Sequence, residues 1–353
     1  MEDTSSKPRN LGGSLPVPNV QDLAADEITP ELLERYLRGA DAPAAAVKAS
    51  LVVVPVVDLG RLVDPAHAEE EAGRLRAACE EWGFFQVVNH GVPEKIIGEV
   101  KEDVEAFFRL PLAEKQAVAQ GPGGIEGYGQ AFVVSEEQKL DWADMLFLST
   151  QPPEYRSLNF WPGTLRASLE RYSAEVQRVA ADLLRAMARN LGLGAAEGEM
   201  MASVADAQAM RINYYPACPA AHEQVLGLSP HSDAVGLTLL LQVSPVPGLQ
   251  IRRHNSWIPV EPLPGALVAN IGDVVEVLTN GRYKSIEHRA VVSARHHRVS
   301  LAAFHSAKFD ATYAPLLAGE PPRYRTIAAE DYVKLVLSSK LQGKNIMDAI
   351  RID

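Results

Sequence analysis

The chain has 353 residues, and 34 Lys and Arg against 45 Asp and Glu give it a formal net charge of −11. Charged residues make up 22% and hydrophobic residues 47% of the chain, which excludes a disordered or fibrous protein. The acidic balance argues against a surface that binds nucleic acid or an anionic membrane, and the run Leu51–Val57 is too short to cross a bilayer. Two cysteines and a charged N-terminus without an apolar stretch predict a cytoplasmic protein.

The first half of the chain is predicted to be mostly helical. Residues 1–50 are rich in Pro, Gly and Ala and predict an extended arm, with a short helical patch from Glu31 to Leu37. The periodicity of apolar residues predicts helices over Ala66–Trp82, Pro93–Phe108, Leu112–Ala119 and Thr164–Leu191. Strands are predicted over Leu51–Leu59 and Phe84–Val88, and the glycine-rich stretch Gly121–Gly129 is predicted to be a loop.

From residue 207 onward, short strand-like runs alternate with Pro and Gly, which predicts an antiparallel sandwich or jelly roll. The runs are Met210–Tyr215, Leu237–Val243, Leu249–Ile251, Trp257–Val260, Ala266–Ile271, Tyr283–Ala290 and Arg298–His305. A last helix is predicted over Ala328–Leu341. The two halves together indicate an α+β protein.

One His-x-Asp sequence, His231-Ser232-Asp233, suggests a metal site. Residues two apart in an extended segment point the same way, so both side chains could bind one ion. By itself this pattern also fits a hydrogen-bonded turn. His288, on a later strand, would complete the two-histidine, one-carboxylate triad typical of non-haem Fe(II) oxygenases, although a zinc hydrolase with similar ligands remains open.

A second feature lies ten residues beyond His288, where Arg298 and Ser300 share one face of a predicted strand. A planar guanidinium matches a carboxylate, and a hydroxyl adds a further hydrogen bond. A dicarboxylic cosubstrate could therefore bind the metal at one end and Arg298 at the other. A basic surface loop is the alternative interpretation of the same residues.

Further motifs occur in order along nearly the whole chain. They are Trp82–Gly91, Phe107-Phe108, Leu110-Pro111, Glu114-Lys115, Glu126–Gln130, Leu140–Trp142, Asn213–Pro216, Pro247–Gln250, Gly272-Asp273 and Thr279–Gly281. With the His231–Ser300 stretch, they resemble the plant 2-oxoglutarate- and Fe(II)-dependent dioxygenases, most closely the senescence-related and codeine-demethylase-like subgroup. The resemblance implies a double-stranded β-helix (jelly roll) core flanked by helices.

The resemblance also implies roles for individual residues. Iron would be held by His231, Asp233 and His288. Arg298 and Ser300 would hold the distal carboxylate of 2-oxoglutarate, Tyr215 would donate a further hydrogen bond to it, and Asn213 would lie beside it. No catalytic side chain is expected beyond the metal centre. The substrate side would be lined by Met145, Phe147, Arg211 and Phe304.

The expected activity is hydroxylation or O-demethylation of a small, mostly hydrophobic plant metabolite, hormone or xenobiotic, with release of succinate and CO2. Fe(II), 2-oxoglutarate and O2 would be required, with ascorbate as an activator. A non-oxidative lyase or condensing enzyme and a ligand-binding protein of the same fold are the alternatives. No nucleic acid or membrane partner is expected, and the oligomeric state is left open.

The resemblance and the predicted elements together divide the chain into five parts. These are an arm (1–50), an N-terminal dioxygenase region (51–165), a long helix and connection (166–206), the jelly-roll core (207–310) and a C-terminal helical segment (311–353).

Overall fold

The computed structural model describes residues 14–25, 29–39, 53–121, 124–130, 133, 135–317, 319–338 and 343–352. The α-helices are α1 (Val20–Ala25), α2 (Pro30–Glu34), α3 (Leu59–Val63), α4 (Ala68–Ala77), α5 (Glu94–Phe108), α6 (Leu112–Gln116), α7 (Arg166–Asn190), α8 (Ala195–Ala202), α9 (Asp273–Leu278), α10 (Ala329–Leu337) and α11 (Asn345–Ile350). The start predicted for the first strand, at Leu51, and the end predicted for the last helix, at Leu341, lie outside the described residues. No helix among the described residues is both long and apolar enough to cross a bilayer.

The strands form two facing sheets and a small hairpin-like pair. They are β1 (Val56–Asp58), β2 (Phe84–Val88), β3 (Gly127–Gly129), β4 (Asp144–Gln151), β5 (Ala207–Tyr215), β6 (Leu228–His231), β7 (Leu237–Gln242), β8 (Leu249–Arg253), β9 (Ser256–Pro259), β10 (Leu267–Ile271), β11 (His288–Ala290), β12 (Arg298–Ser306), β13 (Thr312–Tyr313) and β14 (Ile327–Ala328). The large sheet has the order β1-β2-β10-β7-β12-β5-β4-β3, and the small sheet has the order β6-β11-β8-β9. All neighbouring strands in both sheets are antiparallel except β1 and β2. This is the predicted jelly-roll core flanked by helices.

Helix α7 shows how the helical layer is attached to the core. Its apolar residues recur three or four positions apart, and Leu169, Val176 and Leu183 are fully buried. The helix packs against β4, β7 and β12 of the large sheet as well as against α5 and α8. Each fully buried side chain of this kind contributes about 1.5–3 kcal/mol of transfer free energy. The predicted helix over Thr164–Leu191 is confirmed, with ends two residues and one residue inside the predicted ones.

Gly83 ends the predicted helix over Ala66–Trp82 in the expected manner. After α4 the chain makes one π-helical turn, Ala78–Trp82, and Gly83 follows with a φ of 64°. A Cβ atom at this position would lie 2.0 Å from the backbone carbonyl oxygen of Lys284. Glycine is therefore required here both by the left-handed conformation and by the close approach of the two chain segments.

Several elements differ from the predictions. Strand β4 was not predicted, and β3 occupies the end of the stretch predicted to be a loop. Helix α9 was not predicted either, because all six of its residues are buried and no polar face reveals a helical period. Strand β11 begins only at His288, five residues after the predicted start, because the preceding residues hydrogen-bond to α9 and to the C-terminal segment.

The described N-terminal residues, 14–25 and 29–39, are called here the N-terminal arm. The backbone amides of Val20 and Gln21, at the start of α1, donate to the buried carboxylate of Asp144. Burial is the main reason that the pKa of Asp144 is raised to about 6, against the opposing effects of these two hydrogen bonds and of Lys115. The arm thereby covers an apolar cluster that contains Tyr36, Trp142 and Tyr215.

Candidate metal centre and adjoining cavities

Three buried side chains from two chain segments meet between the two sheets. His231 ends β6, Asp233 follows two residues later, and His288 begins β11, which pairs with β6 so that the two histidines are directly opposite. Their nitrogen and carboxylate ligand atoms all lie within 4.8 Å of one another. The Nε2 atoms of His231 and His288 are 3.4 Å and 3.5 Å from Oδ1 of Asp233. Within the described part of the chain, this is the group of His, Cys, Asp or Glu side chains that could hold a metal ion.

Two of the three side chains, Asp233 and His231, are oriented by hydrogen bonds through the polar atom that does not face the triad. Oδ2 of Asp233 accepts from Thr238 Oγ1 at 2.6 Å and from Asn270 Nδ2 at 2.7 Å, which leaves Oδ1 facing the imidazoles. Nδ1 of His231 donates to the carbonyl oxygen of Ser229 at 2.8 Å. This arrangement fixes the tautomer in which Nε2 carries a lone pair, as is usual for metal-binding histidines.

The electrostatics of the triad also suit a cation. Burial and the neighbouring His231 lower the pKa of His288 to about 4, so this imidazole is neutral at pH 7. Burial alone would raise the pKa of Asp233, but His288, His231 and Asn270 outweigh it and hold the pKa of this carboxyl below its usual range. One carboxylate oxygen and two imidazole nitrogens are the donor set that iron and similar transition metals accept.

Strand register places the remaining predicted residues in rows on one face of the large sheet. Arg298 on β12 pairs with Tyr215 on β5, and Ser300 pairs with Asn213 in the next row. The row after that contains Arg211 of β5, with Phe147 of β4 paired to it. Since residues two apart share a face of a strand, these side chains follow one another from the Arg298 end toward the opening of the site.

Arg298 lies in a small cavity that also contacts the triad. Its side chain is buried, Nη2 donates to Gln242 Oε1 at 2.9 Å, and Nη1 lies 3.4 Å from Ser300 Oγ. Nε is buried without a hydrogen-bond partner, and no carboxylate of the described residues forms an ion pair with this guanidinium. A buried cation without an anion is costly, so the cavity is suited to a ligand that carries a carboxylate.

A larger cavity of about 260 Å³ also reaches the triad. His231, Asp233 and Arg211 belong to the walls of both cavities, as does Phe304. The remaining wall is largely apolar and includes Phe147 from β4 and the residues Val333, Val336 and Leu337 of α10. A molecule in this cavity would therefore reach the triad with mostly hydrophobic contacts.

The structure brings together most of the residues singled out from the sequence. One or both cavities are lined by the three residues of the triad, by Arg298 with its three predicted neighbours, and by three of the four substrate-side residues. Met145 does not: it lies in the same row as Asn213, it is 1% exposed, and it is not part of either cavity wall.

Sequence reasoning missed several residues of the site. Thr238 and Gln242 lie on one face of β7, and they are the two polar residues in the otherwise all-leucine run Leu237–Gln242. Asn270 on β10 gave a similar signal as a single polar residue in an apolar strand. The contribution of α10 to the larger cavity had no local signal, because it depends on how the C-terminal segment folds back.

Two family models match the chain. Residues 54–164 match the N-terminal region described as "non-haem dioxygenase in morphine synthesis", and residues 207–307 match the 2OG-Fe(II) oxygenase superfamily. The second match contains the triad together with Arg298 and Ser300.

Plant proteins of known name are similar over almost the full length. The chain is 46% identical over 349 residues to S-norcoclaurine synthase 1 of Coptis japonica, covering 97% of this chain and 98% of that protein. It is 41% identical over 359 residues to oxoglutarate-dependent flavonoid 7-O-demethylase 1 of Ocimum basilicum, covering 99% and 95%. Among solved structures, a crystal structure of JOX2 in complex with 2OG, Fe and JA superimposes with a TM-score of 0.84 at 35% identity, covering 96% of this chain and 99% of that one.

Proposed function

We propose that this chain, which belongs to the plant 2-oxoglutarate- and Fe(II)-dependent dioxygenase family, hydroxylates or O-demethylates a flat, mostly apolar metabolite. Membership makes the protein an oxidoreductase that uses Fe(II), 2-oxoglutarate and O2. The substrate and the residue roles are the proposal, and they are argued below from the site.

Iron is assigned to His231, Asp233 and His288. The observation that carries this assignment is the convergence of one carboxylate oxygen and two imidazole Nε2 atoms at the meeting point of two cavities. The three ligands come from one side, so the opposite side is left for other ligands. Thr238 and Asn270 support the assignment because they hold Asp233 with Oδ1 directed to the histidines.

The smaller cavity is assigned to 2-oxoglutarate. Its distal carboxylate would pair with Arg298 and accept a hydrogen bond from Ser300, with Tyr215 and Asn213 alongside. The buried Nε of Arg298 has no hydrogen-bond partner among the residues that the structure describes. This supports the assignment, because an anion would neutralise the guanidinium and accept this hydrogen bond.

When bound, iron with 2-oxoglutarate and O2 supplies an oxidant that attacks a substrate C–H bond, while 2-oxoglutarate becomes succinate and CO2. The protein's part is to hold the reacting carbon beside the triad and to exclude water. Phe147, Phe304 and the apolar face of α10 would do this from three sides of the larger cavity. Hydroxylation of a methoxy carbon would give a hemiacetal that releases formaldehyde and leaves the O-demethylated product, whereas hydroxylation of another carbon would give the alcohol.

Arg211 is proposed to recognise an acidic or phenolic group on the substrate. Its Nε donates to Asn213 Oδ1 at 2.8 Å, and within the described residues it forms no ion pair. Burial lowers its pKa, which reflects the cost of keeping this charge in the wall of an apolar cavity. A substrate carboxylate or phenolate would remove that cost, and the similarity to a JA complex and to a flavonoid demethylase supports both classes.

A non-oxidative condensing enzyme is the second candidate, because S-norcoclaurine synthase 1 is among the most similar relatives. Such an activity would need no 2-oxoglutarate. The intact Arg298 cavity favours the oxidative function. The two cysteines, Cys79 and Cys218, are free and buried, which supports a reducing, cytoplasmic location as part of the proposal.

The test is succinate release by the purified protein with Fe(II), ascorbate and 2-oxoglutarate under air, measured against a panel of flavonoids, alkaloids, indoles and acidic hormones. We expect succinate to rise with at least one compound and to fall to background in His288→Ala. Arg211→Met should reduce the turnover of acidic substrates by a larger factor than the turnover of neutral substrates. Product formation that needs no 2-oxoglutarate would overturn the oxidative function in favour of the condensing enzyme.

A further inference from the structure

A cluster of buried polar side chains lies next to the triad in the chain segments that carry it. Its centre is the pair Asp273 and Glu276 in the first turn of α9, which are 1% and 5% exposed. Two buried serines, Ser232 and Ser285, hydrogen-bond to the Asp273 carboxylate at 3.1 Å and 2.7 Å. None of these residues is assigned a role by the function proposed above.

This cluster contacts both segments that carry the triad. Ser232 is the residue between His231 and Asp233, and the backbone amide of Asp273 donates to the carbonyl oxygen of Asp233 at 2.8 Å. Ser285 lies three residues before His288, and its backbone amide donates to Glu276 Oε2 at 2.7 Å. The carboxylates of α9 thus connect the His-Ser-Asp segment to the segment that leads into β11.

The C-terminal segment completes the cluster through Gly343 and Lys344. The Gly343 carbonyl accepts from the Ser232 amide at 3.0 Å, and the Gly343 amide donates to the Pro230 carbonyl at 2.9 Å, so the backbone pairs with both sides of His231. Lys344 Nζ donates to Glu276 Oε2 at 2.7 Å and to the Ser285 carbonyl at 2.5 Å.

Charge makes Lys344 the critical member. Within the described part of the chain it is the only Lys or Arg that forms an ion pair with Glu276, and Asp273 forms none. Two carboxylates on one buried helical turn repel each other unless a cation neutralises them. Since α10 lines the larger cavity, the same C-terminal region both covers the substrate space and closes this cluster.

We propose that Lys344, together with Gly343, acts as a positioning residue for the metal site by holding the His231–Asp233 segment and the segment before His288 in register through Glu276 and Ser285. Lys344 does not contact the triad itself, so it acts through the geometry of the ligands. The inference rests on the metal assignment proposed above. Removal of the Lys344 ammonium should therefore weaken metal binding even where the protein remains folded.

The test is titration of the full-length protein with Co(II), followed by its visible absorption, with thermal unfolding measured in parallel. Lys344→Met should raise the dissociation constant for Co(II) by about 10- to 100-fold and change the absorption band, as loss of partners behind metal ligands does. Lys344→Arg, which keeps the charge and a donor, should bind Co(II) more tightly than Lys344→Met. The matched control is Lys334→Met, which removes an exposed lysine of α10 that pairs with Glu330, and its affinity should equal that of the wild type.

A double variant separates positioning from a general loss of stability. Lys344→Met with Glu276→Gln removes the unpaired buried charge, so the unfolding temperature should recover while Co(II) affinity stays low. It also replaces Lys344→Met in the comparison if that single variant does not fold. Wild-type affinity in the double variant, or a change of less than twofold in a folded Lys344→Met, would overturn the inference. Asp233→Ala is expected to bind no Co(II). If the wild-type protein also binds no Co(II), the metal assignment itself is overturned.

Discussion

Arg298 offers the sharpest test of the cosubstrate cavity, because its guanidinium is 2% exposed and has no carboxylate partner among the described residues. Replacing it by Met keeps the unbranched stem of the side chain and removes the guanidinium with its charge and donors. Losing one partner of a buried, hydrogen-bonded charge pair costs about 2–5 kcal/mol. This corresponds to a roughly 30- to 5,000-fold increase in the dissociation constant for 2-oxoglutarate.

The structure also predicts the behaviour of the protein without cosubstrate. An unneutralised buried guanidinium destabilises the folded state, and Gln242 and Ser300 satisfy only part of its hydrogen-bonding capacity. Arg298→Met should therefore be no less stable than the wild type in the absence of 2-oxoglutarate. Arg298→Lys keeps a charge but loses the planar guanidinium, so its affinity for 2-oxoglutarate should lie between that of the wild type and that of Arg298→Met.

The assay is calorimetric titration with 2-oxoglutarate under nitrogen, with Mn(II) in place of iron so that no turnover occurs. Arg171→Met is the matched control, since Arg171 lies on the exposed face of α7 and pairs with Glu99. The reasoning is refuted if Arg298→Met binds 2-oxoglutarate within threefold of the wild type. A large loss of stability in unliganded Arg298→Met would refute the prediction that the buried guanidinium destabilises the protein when 2-oxoglutarate is absent.

Three further changes test the substrate side, the N-terminal arm and a turn. Phe147→Ala should raise KM for the substrate about tenfold without changing KM for 2-oxoglutarate, whereas Met145→Leu should change neither, as steady-state kinetics will show. The pKa of Asp144 is raised in the folded state to about 6, so its stabilising contribution is present below about pH 4 and is lost as the pH rises through 6. Urea unfolding from pH 4 to 7.5 should show that the stability of the wild type relative to Asp144→Asn falls by about 3 kcal/mol over this range, and parallel curves would contradict this. Gly83→Ala should lower the free energy of unfolding by about 2–4 kcal/mol, because the new Cβ collides with a carbonyl oxygen. Gly265→Ala, with a similar φ and open space, should cost only about 1 kcal/mol, and equal losses would show that the collision is relieved.

Elements with a clear period were predictable from the sequence. Helix α7 and strand β12 show their apolar spacing directly, and the two-residue spacing of His231 with Asp233 and of Arg298 with Ser300 follows from strand geometry. Strand β4 carries no such signal, since buried residues lie on both of its faces. Its pairing with β5, which brings Phe147 beside Arg211, is a long-range contact that no local pattern reveals.

The supporting residues of the site depend on tertiary structure in the same way. Thr238 is an ordinary strand residue until the fold brings Asp233 within 2.6 Å of its hydroxyl. Lys344 lies 68 positions from Glu276 in sequence, and nothing near either residue indicates that they meet. The substrate-side role of Met145 rests on the resemblance alone, and this side chain, which is 1% exposed, lines neither cavity wall.

The N-terminal arm lies across the boundary between the two matched regions. Tyr36 packs edge-on against Trp142 of the first region, and both share an apolar cluster with Tyr215 of the second, whose ring lies beside Arg298. A chimaera that took residues 54–164 from one relative and residues 207–307 from another would therefore disturb the contact surface on which the N-terminal arm packs, because both regions contribute to it. The arm and the residues around the cosubstrate cavity are expected to have been inherited together. Exchange of segments between relatives is expected to succeed when the arm is transferred together with both regions that it contacts.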